Sequence, residues 1–231
     1  MDIYKNVTLF CFPIIVPLVS ARDRHPHTMT TNIYKTQFQP QQYICQYYSN
    51  VDQEEKFFLT QLHELFSSFQ SSSWRPSSGP RVVLEIGSGP LVSGLVSASS
   101  WAELLIFSDL LDNNLRHIKD SLKQLSEAEV TNNDSHELES FRCISNLEKI
   151  DVSTLQERMN QTPKIIAKCN LFSQEIITPR LLLPNSPSVI IIKLCLEFAL
   201  EDVSQLSPVL TRVSKLLVSG GKIVVMGALG R

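Results

Sequence analysis

From Arg81 onward, short apolar runs alternate with segments whose apolar residues recur at helical spacing. RVVLEIG (81–87), LLIFSD (104–109), FRCISNL (141–147), KIIAKCNL (164–171), VIIIKLCL (189–196) and KIVVMGAL (222–229) are strand candidates rich in Val, Ile and Leu. Several are apolar at consecutive positions, the pattern of strands covered by helices on both faces. Between them, 112–125 opens with an Asp able to cap a helix, 151–159 is a shorter helical stretch and 201–217 a longer one. The alternation predicts an α/β chain with a Rossmann-like, doubly wound, mostly parallel sheet. In such sheets ligands bind beyond the carboxyl ends of the strands, near the point where the strand order reverses, so the residues just after each strand are the place to look for chemistry.

Upstream, Phe58, Leu62, Leu65, Phe66 and Phe69 lie three or four residues apart within 53–69 and predict an amphipathic helix. A loop over 67–80, with seven serines, Pro76, Gly79 and Pro80, follows it. Residues 7–19 (VTLFCFPIIVPLV) form an apolar run preceded by Lys5 and followed by Ser20-Ala21, the layout of a secretory signal peptide, but Pro13 and Pro17 interrupt it. Thirteen residues are too few to span a bilayer as a helix. A signal peptide, a buried or membrane-associated tail and an added extension ahead of Met29 all fit the run. It is expected to lie outside the fold. The chain therefore divides into an apolar extension (1–28), a helical cap with its Ser-rich loop (29–80) and a cofactor-binding core (81–231).

Composition narrows the function. Lys plus Arg number 21 and Asp plus Glu 23, a net charge of −2 that leaves no basic excess for phosphates, so no nucleic-acid partner is expected. The five cysteines stand singly, without CxxC or a His spacing that would build a metal site. That usage suits a reducing compartment, and a cytoplasmic location is expected unless residues 1–21 direct the chain into the secretory pathway.

The sharpest motif follows the first strand candidate, as Glu85-Ile86-Gly87-Ser88-Gly89-Pro90. Alternate glycines let the backbone turn sharply and approach a ligand closely. The second strand candidate ends in Asp109, twenty-two positions after Gly87, where a carboxylate can accept from both hydroxyls of a ribose. An adenosine-containing cofactor is implied. A dinucleotide fingerprint would need Gly at 92, where Val92 stands, so an NAD-dependent oxidoreductase is the weaker reading.

With FQPQQYICQYY (38–48), LEIGSGP (84–90), SDLLDNNL (108–115), KCNL (168–171), LCLE (194–197) and SGGKIVVMGAL (219–229), the chain resembles a family of S-adenosylmethionine-dependent methyltransferases. These are the small-molecule enzymes that include nicotinamide, phenylethanolamine, indolethylamine and thioether methyltransferases. The resemblance implies N-methylation of a small amine or heterocycle, with S-adenosyl-L-methionine as cofactor and no membrane partner. It places Gly87, Ser88 and Gly89 beside the methionine part of the cofactor with Ser93 nearby, Asp109 and Asn114 at the ribose, Asn170 and Leu171 at the adenine, and Lys193 at a cofactor contact. Tyr43 and Tyr48 would close over the cofactor, where aromatic faces suit a sulfonium, and Tyr47 and Glu197 would face the substrate. In-line methyl transfer needs orientation and exclusion of water more than a catalytic side chain, so no catalytic residue is assigned.

The chain departs from the family pattern at three positions. Asn170 replaces an Asp. Lys193 replaces a small hydroxyl residue and brings a cation toward a cationic cofactor, unless Glu85 or Glu197 pairs with it. Gly227 replaces a substrate-binding Asp four residues before the last residue, Arg231. The resemblance then implies that the terminal antiparallel strands are lacking and turnover is weak or silent. It also implies that 222–229 is an unpaired sheet edge open to self-association.

Overall fold

The computed structural model describes residues 8–14, 38–48, 50–72, 74–76, 79–127, 136–178 and 185–228. The strands are β1 (Thr8–Ile14), β2 (Val82–Ile86), β3 (Leu104–Asp109), β4 (Lys164–Cys169), β5 (Ile177–Thr178), β6 (Val189–Lys193) and β7 (Lys222–Ala228). They form one sheet in the order β1-β7-β6-β2-β3-β4-β5, parallel throughout except for the β4–β5 pair. The α/β, Rossmann-like reading therefore holds.

Strand residues alternate between two cores. Val83, Leu105, Phe107, Val189, Ile191, Val224 and Met226 face one side, while Val82, Leu84, Ile86, Ile106, Ile190, Ile192 and Ile223 face the other. On the first side pack α1 (Pro40–Tyr47) and α2 (Gln53–Ser71) as a cap, then α3 (Asp112–Glu127), α4 (His136–Glu148) and α5 (Val152–Gln161). On the second lie α6 (Leu196–Ala199) and α7 (Leu206–Ser214), through Leu196, Val209 and Val213. Helix α2 carries the expected stripe of Phe58, Leu62, Leu65, Phe66 and Phe69, and its first turn is capped by Asp52, which accepts from the Glu55 N–H at 2.9 Å.

Three expectations are corrected. Residues 141–147 are helical, inside α4, because Leu138, Phe141 and Ile144 recur every third residue and bury one helix face. The helix expected over 201–217 is a 3-10 turn (Val203–Gln205) followed by α7, since Pro208 fits the first turn of a helix but not its interior. The 222–229 edge is not open: Thr8–Ile14 pairs with it in parallel, from Thr8↔Lys222 to Ile14↔Ala228. Seven residues of the apolar run thus belong to the sheet rather than to an extension outside it, and Pro13, which lacks an N–H, is tolerated because β1 is an edge strand. Lys5, Ser20, Ala21 and Met29 lie outside the described residues. Among the described residues no helix is long and apolar enough to cross a membrane.

Candidate functional site

The strand order reverses between β2 and β6, and the candidate residues gather at the carboxyl ends of these strands and of β3. Gly87 and Gly89 both have positive φ (74° and 61°), so the turn after β2 uses the freedom that only glycine has at low cost. A Cβ on Gly87 would lie 2.4 Å from Cys195 Sγ, so the position is closed to side chains as well as bent. The N–H groups of Gly87 and Ser88 donate to Ser108 O at 2.8 and 2.9 Å, and the Ser108 N–H donates to Ser88 Oγ at 3.2 Å, stitching the turn to β3.

Asp109 closes the arrangement. Its Oδ2 accepts from Gly89 N–H at 2.9 Å, and its Oδ1 accepts from Leu111 N–H at 2.8 Å and from Asn114 Nδ2 at 3.0 Å. Burial raises its pKa, against the pull of these donors. Leu110 N–H adds a further backbone donor to the carboxylate, and among the described residues Asn114 Oδ1 is buried without a partner. Asn170 and Leu171 follow β4, one strand out from Asp109. The Asn170 Oδ1 already accepts from Phe172 N–H at 3.0 Å, so this amide shapes its own turn.

On the cap, Tyr43 lies with ring centroids 5.2 Å from Tyr47 and 5.5 Å from Tyr48. Tyr43 and Tyr48 share a hydrogen bond; burial pushes Tyr43 up to about 12 and Tyr48 well above its ordinary value, so both stay neutral phenols. Helix α1 is tied to the turn through His117, whose Nδ1 is 3.0 Å from Pro90 O and whose Nε2 is 3.4 Å from Gln41 Oε1.

Lys193, the last residue of β6, is buried and does not pair with Glu197. Its Nζ lies 3.2 and 3.3 Å from the two carboxylate oxygens of Glu55 on α2, and Ser93 Oγ donates to the same Glu55 at 3.1 Å. Register explains this: Glu85 and Lys193 continue the alternation of Val83 and Ile191, so both face the α2 side. Burial alone would lower the lysine's pKa, but Glu55 and Glu85 outweigh it and hold the ammonium charged. Two further carboxylates complete the cluster. Burial pushes Glu85 and Glu137 each up to about 7; Glu137 Oε1 accepts from Val92 N–H at 3.2 Å, while Glu85 Oε2 and Glu137 Oε2 have no hydrogen-bond partner among the described residues. Neither Glu55 nor Glu137 was singled out in the sequence. Glu55 stands one helical step before Phe58 on the apolar stripe of α2, the signal that could have found it.

Glu197 is exposed on α6 and leans over β7: a Cβ on Gly227 would fall 2.1 Å from Glu197 Oε1.

A protein-family model described as the NNMT/PNMT/TEMT family matches residues 26–231. The chain belongs to that family. It is thereby an S-adenosylmethionine-dependent methyltransferase by descent, with that compound as its cofactor. Among curated NNMT/PNMT/TEMT relatives, human nicotinamide N-methyltransferase is 26% identical over 200 residues, covering 85% of this chain and 72% of the relative. Mouse indolethylamine N-methyltransferase is 26% identical over 201 residues, covering 84% and 70%. Of solved structures, the glycopeptide N-methyltransferase MtfA with (S)-adenosyl-L-methionine aligns at TM-score 0.38 and 14% identity, over 76% of this chain and 60% of that one. The residues present fit the family's cofactor: a glycine turn closed to side chains, a carboxylate anchored at the next strand, and unpartnered buried oxygens on Glu85 and Asn114 beside them.

Proposed function

We propose that this chain binds S-adenosylmethionine at the carboxyl ends of β2, β3 and β6 and transfers its methyl group to a small amine or nitrogen heterocycle. The observation that carries the reading is the link between the glycine turn and Asp109, the Gly89 N–H to Oδ2 bond at 2.9 Å, which fixes a carboxylate where a ribose would sit. Asp109 and Asn114 hold the ribose, Gly87, Ser88, Gly89 and Ser93 wall the methionine part, and Asn170 and Leu171 border the adenine. Tyr43 and Tyr48 lay aromatic surface over the cationic end of the cofactor. Lys193 belongs to the wall of the site and is neutralised by Glu55.

When bound, S-adenosylmethionine supplies a methyl group activated by its sulfonium. The protein's part is to present the acceptor's lone pair in line with that methyl and to keep water out, both of which lower the barrier without any covalent bond to the protein. Tyr47 and Glu197 face the acceptor. The Glu197 carboxylate occupies the space that a side chain at 227 would take, which supports its standing in for the acid that the family carries there and its attracting an amine.

Calorimetric titration with S-adenosylmethionine, S-adenosylhomocysteine and NAD tests the cofactor, and methyl transfer to a panel of amines and pyridines tests the acceptor. Binding of the two adenosyl compounds but not NAD, with turnover of at least one amine, is expected. Binding of NAD alone would overturn the reading, and cofactor binding without turnover of any acceptor would reduce the chain to a silent cofactor-binding protein.

A further inference from the structure

Lys193 is abreast of the glycine turn. Ile192 pairs with Ile86, so the next residue of β6 stands beside Gly87, where the reading above puts the cationic end of the cofactor. A lysine there would repel a sulfonium, yet its ammonium is drawn to the cap side and held by both oxygens of Glu55, at 3.2 and 3.3 Å, with the Phe58 ring centroid 5.9 Å from Nζ. The Glu55 carboxylate is itself fixed by Ser93 Oγ, and Glu55 and Lys193 are 3% and 8% exposed, so little solvent screens the pair. Glu85 and Glu137 each add on the same side a carboxyl oxygen, Oε2, without a hydrogen-bond partner among the described residues. Among the described residues these acids do not converge on a geometry that would hold a metal ion. The charge they surround is the lysine's own.

We infer that Glu55 is a positioning residue that sets how the site discriminates between the sulfonium cofactor and its uncharged thioether product, by holding the Lys193 ammonium in an ion pair beside the glycine turn. S-adenosylmethionine and S-adenosylhomocysteine differ by one methyl and one positive charge, so the ratio of their affinities reads the local potential while changes in shape cancel. With Glu55 in place the lysine is neutralised. Without it, the lysine keeps only the longer-range pull of Glu85 and Glu137, and a partly compensated cation faces the sulfonium in a site of low effective dielectric, where a fraction of a unit charge is enough for a tenfold change in binding. The inference rests on the cofactor assignment above.

The test is calorimetric affinity of the full chain for both compounds, in the parent and in Glu55→Gln, Lys193→Met and the double variant. Glu55→Gln should weaken S-adenosylmethionine about tenfold relative to S-adenosylhomocysteine. Lys193→Met, which leaves the carboxylate unopposed, should move the ratio the opposite way. The double variant should return it to near the parent's. Replacing both members of a buried pair by apolar or neutral groups of similar shape is well tolerated, so the double variant also controls for folding. If Glu55→Gln does not fold, the Lys193→Met ratio decides. Equal weakening of both compounds, or an unchanged ratio, would give Glu55 a purely structural role and overturn the inference. A parent that binds neither compound would instead sink the cofactor assignment.

Discussion

Two carboxyls whose burial outweighs the pull of Lys193 make the stability of this chain fall as pH rises through neutrality. Glu85 is 1% exposed and Glu137 turns its carboxyl inward, and burial pushes each from the ordinary 4.5 to about 7. A folded-state value above the unfolded one means that the folded chain binds the proton more tightly. The stability from the protonated form is fully present below about 4.5 and is lost as pH climbs through 7. A shift of 2.5 pH units at about 1.4 kcal/mol per unit is about 3 kcal/mol for one isolated group. Because the two acids also repel each other, a total fall of roughly 2–5 kcal/mol between pH 5 and 8 is expected, a large share of a typical domain's 5–15 kcal/mol. Urea unfolding followed by tryptophan fluorescence at pH 5, 6, 7 and 8 measures it. Glu137→Gln keeps an acceptor for the Val92 N–H and removes one titrating group, so it should flatten the slope by about half and stabilise the chain at pH 8. A parent whose stability is flat or rises over that range, or a variant with the parent's slope, would refute the reasoning.

Other outcomes follow from the site and the sheet. Asp109→Ala should weaken S-adenosylhomocysteine binding by about 1.5–3 kcal/mol, the range for hydrogen bonds to a charged group, and calorimetry would show it. Gly87→Ala meets Cys195 Sγ and a φ of 74°, so it should destabilise the chain by about 2–4 kcal/mol and abolish cofactor binding, as read by thermal melting and titration. A chain starting at Met29 loses β1 and uncovers β7; its thermal midpoint should fall and its sedimentation should show self-association, whereas an unchanged, monomeric product would place residues 8–14 outside the sheet. Gly227→Asp should displace Glu197, whose carboxylate lies nearest its Cβ, and disturb the place where the acceptor amine is held; it should lower rather than raise methyl transfer to the amine.

The parallel core was legible because β2, β3, β6 and β7 are nearly continuous runs of Val, Ile and Leu, a pattern that few other elements carry. Residues 141–147 carry a similar density of apolar residues in so short a window that period two and period three to four cannot be separated; extending it back to Leu138 resolves the helix. The glycine turn and Asp109 could be read because their chemistry depends on residue type at fixed spacing. The partner of Lys193 could not, since Glu55 lies 138 positions away and an ion pair between distant residues leaves no local pattern. The acid over Gly227 was half visible: Glu197 stood out, but only the packing of α6 on β7 shows that its carboxylate fills the space the glycine leaves.

The pairing of Thr8 with Lys222 joins the first described strand of the chain to the last. On a ribosome, β1 would be made more than two hundred residues before β7, its neighbour in the sheet, a wait of roughly 10–40 s at 5–20 residues per second. Throughout that interval an apolar segment, TLFCFPI, has no native partner, while β2, β3, β4 and β6 emerge and pair among themselves. Completion of the sheet is thus a late, non-local step set by chain closure rather than by local propensity. Variants that slow the emergence or docking of β7 should reveal themselves first as a dependence on chaperones during synthesis, before any loss is seen in the finished protein.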